Sequence, residues 1–148
     1  MPHLTNTIEI KASPEAVWAV LGDLTATPHW LPGTVAARID GDTRICVMGD
    51  GSQVQEQISD YSADDHTYAW RHLQVPLPVR DSHGTYTVRS ADAGTATVIL
   101  HTQFDPLDPA ATAEVSAMIN GAFQQSLEAL RRFVEQGVPW PQQELSSG

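Results

Sequence analysis

The stretch SQVQEQISDY, residues 52–61, contains a residue whose chemistry does not match its neighbours. Alternate side chains of a β-strand face opposite sides. Gln53, Gln55 and Gln57 then form a wet face, and Glu56 sits between Val54 and Ile58 on the dry one. A carboxylate turned toward a core is costly unless something there needs it. In an apolar pocket such a group can hold or take a proton near neutrality and so act as a general acid or base. The plainer alternative is an ion pair with an arginine, or a turn toward solvent at a rim.

Arg44 is the arginine in question. It shares parity with Cys46 and Met48, but Ile45 and Val47 are apolar too, so the inward face of this strand is left open. Facing in, Arg44 would neutralise Glu56 or bind an anionic guest or enolate. In HTYAWRHLQV, Tyr68, Trp70 and His72 share a face, and the other parity would bury Arg71. Aromatic rows are commonly plain core, yet His72 and the two tyrosines Tyr68 and Tyr86 are the remaining candidates for proton transfer or for holding a substrate oxygen. Ser82 shares parity with Tyr86, and Leu100 lies on the dry face of TATVILHTQF. Trp30, between Pro28 and Pro32, is expected where short helices meet the sheet. The expected cavity lining is Trp30, Arg44, Met48, Trp70, Ser82, Leu100, Met118 and Ala122. Gly121 would make room for a guest or allow close helix packing.

Other chemistries lack their motifs. There is no HExxH, CxxC, GxSxG or glycine-rich phosphate loop. Cys46 has no activating motif around it and reads as an apolar filler.

The elements that must position these residues are clearly signalled. TNTIEI alternates as a first strand. Ser13-Pro14-Glu15 opens a short helix, and the prolines at 28 and 32 leave room for only one more turn. Asp40-Gly41, Asp50-Gly51 and Ala93-Gly94 mark hairpins. Strands are predicted at 35–40, 43–49, 52–61, 66–75, 82–91 and 95–104, with Pro76-Leu77-Pro78 as a loop. Asp108 and Pro109 start a long last helix, stopped by Gly137 and Pro139. Its predicted inner face is Val115, Ile119, Ala122, Ser126, Leu130 and Phe133, with Phe123, Leu127 and Val134 widening it.

The chain has 148 residues, which predicts one domain, residues 1–137, with a loosely held tail at 138–148. A net charge of −10 disfavours nucleic acid and anionic membranes as partners. The N-terminus lacks the basic and apolar regions of a signal peptide, and the expected location is the cytoplasm. No apolar run reaches the length of a membrane span.

The element order, with SPEAVWAVLGDL, HWLPG, GDGSQVQEQI, PLPV and QFDP in sequence, resembles the START-like (SRPBCC) superfamily, most of all its polyketide cyclase/dehydrase branch. The resemblance runs from Ile8 to about Val134. It implies an α+β helix-grip fold, in which a curved seven-stranded antiparallel sheet wraps a long C-terminal helix and two short helices follow strand 1. It also implies a cavity for a small, mostly apolar or aromatic ligand, and no obligatory cofactor or metal. Cyclisation or dehydration of a polyketide-like carbonyl compound is one expectation; a non-catalytic carrier or sensor is the other, since fold alone selects neither. A homodimer through a sheet edge is left open.

Overall fold

The computed structural model describes residues 1–141. Its elements run β1 (His3–Ile10), α1 (Pro14–Leu21), α2 (Thr27–Trp30), β2 (Thr34–Asp40), β3 (Thr43–Met48), β4 (Gln53–Ser62), β5 (Thr67–Gln74), β6 (Val79–Ser90), β7 (Ala96–Pro106) and α3 (Thr112–Gln136). All seven strands form one antiparallel sheet in the order β1-β7-β6-β5-β4-β3-β2. With the long C-terminal helix and two short helices after β1, this is the helix-grip arrangement.

The punctuation works as the sequence predicts. Ser13 accepts a hydrogen bond from the Ala16 N–H and caps α1. Gly41, Gly51 and Gly94 all have positive φ in the hairpin turns. Asp108 caps a 3-10 turn, Pro109–Ala111, and the α-helix proper begins only at Thr112. Gly137 closes α3 in the left-handed region, its N–H donating to the Phe133 carbonyl. The tail is less loose than expected at its start, because the Trp140 indole N–H donates to the Thr34 carbonyl at 3.2 Å. Residues 142–148 of that tail lie outside the described residues.

Four register shifts bend the sheet and reset side-chain parity; the first, in the β2–β3 pair, makes Val35 an extra residue between Thr34 and Ala36. In the β4–β5 pair, Gln55 faces Gln74 while Glu56 faces His72, so Leu73 is an extra residue. Further along, Asp60 at φ 51° falls within a second shift of this pair, and the exposed Tyr61 beside it packs on Trp18 and Tyr68. In β6, Asp81 at φ 53° lies within the fourth shift, between Arg80 and His83. That bulge lets β6 begin at Val79, three residues before the predicted start.

The main core joins α1, α2 and the C-terminal half of α3 to the sheet through Trp18, Leu21, Trp30, Val98, Leu127 and Leu130. A smaller cluster of Val79, Phe104, Val115 and Ile119 fills the other end. Asn6 is buried on the inner face of β1 and its amide donates to Asn120 Oδ1 at 2.9 Å and Gln124 Oε1 at 3.1 Å, tying β1 to α3. Asn6 shares parity with Ile8 and Ile10, so the sequence held that signal.

The predicted inner face of α3 needs correction at one position. Ala122 is exposed and Phe123, expected at the edge of the face, lies within it, so the stripe runs Val115, Ile119, Phe123, Ser126 and Leu130. Spacings of three and four alternate along a helical stripe, and choosing three where the helix uses four moves a residue off the edge. Met118 falls outside the stripe for the same reason and is 45% exposed. Gly121 is exposed with nothing near its Cβ position, so it makes room for neither guest nor packing.

Candidate functional site

Arg44, Glu56 and His72 lie side by side across β3, β4 and β5, because Arg44 pairs in register with Glu56 and Glu56 with His72. The inward face of β3 is thereby the one carrying Arg44, Cys46 and Met48. Glu56 is only 6% exposed and Arg44 2%. Arg44 Nε donates to Glu56 Oε1 at 3.1 Å. The guanidinium also donates to the Tyr68 hydroxyl at 3.4 Å and the Leu24 carbonyl at 3.5 Å, with its Cζ 5.6 Å from the Tyr68 ring centroid. Burial opposes the charge on Arg44, but Glu56 and the Tyr68 oxygen outweigh it and hold its pKa well above the usual guanidinium value.

The second carboxylate oxygen differs. Glu56 Oε2 accepts no hydrogen bond among the described residues, and His72 Nε2 stands 3.8 Å from it. Burial pushes the His72 pKa down; Glu56 pulls it up and Arg44 adds to the downward shift. His72 Nδ1 is 2.9 Å from Ser82 Oγ. The imidazole is therefore held between a hydroxyl and a carboxylate, and its neutral form is favoured.

A pocket of about 180 Å³ opens beside this row. Arg44, Met48, Glu56, Trp70, His72 and Tyr86 line it from the sheet and Trp30 from α2. Leu31, Pro32, Val75, Pro76 and Leu77 close it from two loops, and Phe123 and Ser126 from α3. The Tyr86 hydroxyl makes no hydrogen bond among the described residues, and burial raises its pKa well above the usual phenol value. The indole N–H groups of Trp30 and Trp70 are buried without a hydrogen-bond partner among the described residues. Trp70 fits because position 84, opposite it on β6, is glycine: a Cβ there would meet its ring at 2.7 Å and collide with the His101 carbonyl.

The candidate residues thus divide. Trp30, Arg44, Met48, Glu56, Trp70, His72 and Tyr86 border one pocket. Tyr68 does not; it is fully buried behind Arg44, and burial raises its pKa. Ser82 stands behind His72 rather than at the pocket. Leu100 is wholly buried core. Met118 and Ala122 point to solvent and are removed from the lining. Cys46 is buried with Sγ 3.5 Å from Thr27 Oγ1, and burial raises its thiol pKa, as suits an inert filler. The family resemblance implies that the Trp30 region and the Pro76-Leu77-Pro78 loop border the cavity, but Leu31, Val75 and Leu77 were not singled out individually from the sequence.

Among the described residues no helix is long and apolar enough to cross a membrane. No curated protein gave a significant sequence match. Among solved structures, the protein XoxI from Bacillus cereus is 26% identical, with a TM-score of 0.82 over 89% of this chain and 94% of its own. A START superfamily protein from Mycobacterium smegmatis is 14% identical, with a TM-score of 0.78 over 90% of this chain and 97% of its own. The Zhui aromatase/cyclase from Streptomyces sp. R1128 is 19% identical, with a TM-score of 0.74 over 92% and 97% respectively. The last two carry the fold alone. The sequence itself matches a family pattern over residues 1–135, a span that holds every strand, the whole polar row and nearly all of α3. On that match, the chain belongs to the polyketide cyclase / dehydrase and lipid transport family.

Proposed function

We propose that the chain binds a small, mostly apolar carbonyl compound in the pocket beside Glu56 and catalyses its cyclisation or dehydration without a cofactor. The observation that carries this reading is the split environment of Glu56. One oxygen is held by Arg44, and the other accepts no hydrogen bond among the described residues and lies beside His72. A carboxylate so held is oriented and charged, with one lone-pair face left for a proton.

Glu56 takes a proton from the carbon beside a carbonyl. The enolate oxygen that forms accepts a hydrogen bond from His72 or the Tyr86 hydroxyl. The carbanionic carbon attacks a second carbonyl carbon, the new alkoxide is protonated, and a later loss of water restores conjugation. Protons are only redistributed until water departs, so no redox partner is required. Trp30 and Trp70 hold the hydrocarbon. The volume argues for a short substrate. A cavity of about 150 Å³ accommodates benzene, so 180 Å³ suits one ring with short substituents rather than an extended chain.

The ion pair itself favours a second reading. Arg44 and Glu56 compensate each other fully, as a fixed anchor in a carrier would. One substitution separates the two readings. Mass spectrometry of the retained ligand supplies the candidate substrates. On the cognate substrate, Glu56→Gln is expected to lower kcat by about 100- to 10,000-fold with little change in affinity. Undiminished product formation would remove Glu56 as the catalytic group. Release of the retained compound unchanged by wild-type protein, with no turnover of its precursors, would favour the carrier.

A further inference from the structure

We propose that Ser82 is a positioning residue that fixes His72 as its Nε2–H tautomer, so that the imidazole offers the pocket a neutral hydrogen-bond donor rather than a base. This assignment rests on the acid–base reading of Glu56 and deepens it.

The argument begins with the needs of a buried hydroxyl. A serine O–H always carries a proton that wants an acceptor, and leaving it unmet inside a protein is costly. Ser82 is buried, and its one hydrogen bond among the described residues is to His72 Nδ1. If Nδ1 carried the ring proton, it would donate to Ser82 Oγ and leave the serine proton without an acceptor on the protein. With Nδ1 bare, the hydroxyl donates to it and both needs are met. The ring proton then sits on Nε2.

The far side of the ring agrees. Nε2 stands 3.8 Å from Glu56 Oε2. A bare nitrogen lone pair beside a carboxylate is repelled, whereas an N–H is attracted. Burial and the nearby Arg44 guanidinium both resist a second proton on the ring, so it stays neutral while donating. The backbone enforces the contact. Arg71 pairs with His83, which brings Ser82 opposite His72, and the β-bulge at Asp81 follows immediately.

Two consequences follow. Glu56 alone takes the proton from carbon, and His72 Nε2–H steadies the developing oxygen charge. The row of one guanidinium, one carboxylate and one neutral imidazole has no net charge, so the favoured guest is a neutral carbonyl compound rather than a carboxylate.

Long-range 1H–15N NMR of the 15N-histidine-labelled full chain at pH 7 tests the assignment, with His72 identified by the signals lost in His72→Gln. The expected result is an unprotonated Nδ1 and a protonated Nε2. A protonated Nδ1 would overturn the proposal, and should His72→Gln not fold, contacts of the ring protons with Trp70 identify His72 in the wild-type spectrum instead. In Ser82→Ala the preference should relax toward a mixture of tautomers, and Ser82→Thr should restore it. A Ser82→Ala spectrum with His72 still wholly Nε2–H would show that Ser82 is not the lock. Neither failure touches the Glu56→Gln rate test, so the two readings fail separately.

Discussion

The two halves of the sheet obey different rules. β1, β7 and the facing part of α3 are filled with Ile10, Val98, Leu100, Phe104, Leu127 and Leu130, all wholly buried and apolar. Their buried polar residues include Asn6, whose amide N–H groups are taken up by the helix while its Oδ1 has no partner among the described residues. Across the sheet, β3, β4 and β5 present arginine, glutamate and histidine in one row, and a pocket separates them from Phe123 and Ser126 of α3. Packing to high density is what stabilises a domain. A region that forgoes it and spends buried charge instead is held for another purpose, and that contrast locates the site within one continuous sheet.

The contrast can be broken by substitution. Arg44→Met keeps the bulk but leaves the Glu56 carboxylate buried without its cation, at an expected cost of about 3–5 kcal/mol in chemical denaturation. A cost below about 1 kcal/mol would mean that Glu56 is easily rehydrated and the row is not a sealed one. In the packed half, Leu127→Ala should cost about 2–5 kcal/mol through the cavity it opens. Met48→Ala, which removes a side chain that borders the pocket on one side, should cost well under that, about 1 kcal/mol. Equal costs would erase the distinction between a filled half and a hollow one.

A smaller effect sharpens it. Burial depresses the His72 pKa below the usual imidazole value of about 6.5. Between the two values the unfolded chain binds more protons, so stability rises with pH there. The His72 contribution is complete above about 6.5 and is lost as pH falls toward the folded value. Denaturation midpoints between pH 7 and 5 should fall less steeply in His72→Gln than in wild type. Identical slopes would mean that the ring is solvated in the folded protein.

Much of this contrast was legible in the sequence. Hairpin glycines and the helix caps fixed the order of elements, and the parity of Val54, Glu56 and Ile58 pointed to a buried acid. The inward face of β3 was not legible, because Ile45 and Val47 are as apolar as Cys46 and Met48. Only the cross-strand pairing of Arg44 with Glu56 decides it. The bulges at Leu73, Asp60 and Asp81 were hidden too, since an extra residue breaks the period that sequence reading relies on. Two of those three contain aspartate at positive φ, a conformation aspartate tolerates better than most residues. On α3, the spacing of three or four left Ala122 and Phe123 as rivals, and only packing chose between them.

The most direct measurement follows the four tryptophan indole N–H signals by NMR during titration with a small neutral aryl ketone. Trp30 and Trp70 border the pocket beside Glu56, Trp18 packs in the core against Tyr61 and His66, and Trp140 is bonded to the Thr34 carbonyl. Saturable shifts at Trp30 and Trp70, with Trp18 and Trp140 unmoved, are the predicted result. Saturable shifts confined to Trp18 or Trp140, or no saturable shift across a series of such ketones, would contradict the claim that this half of the sheet holds the guest.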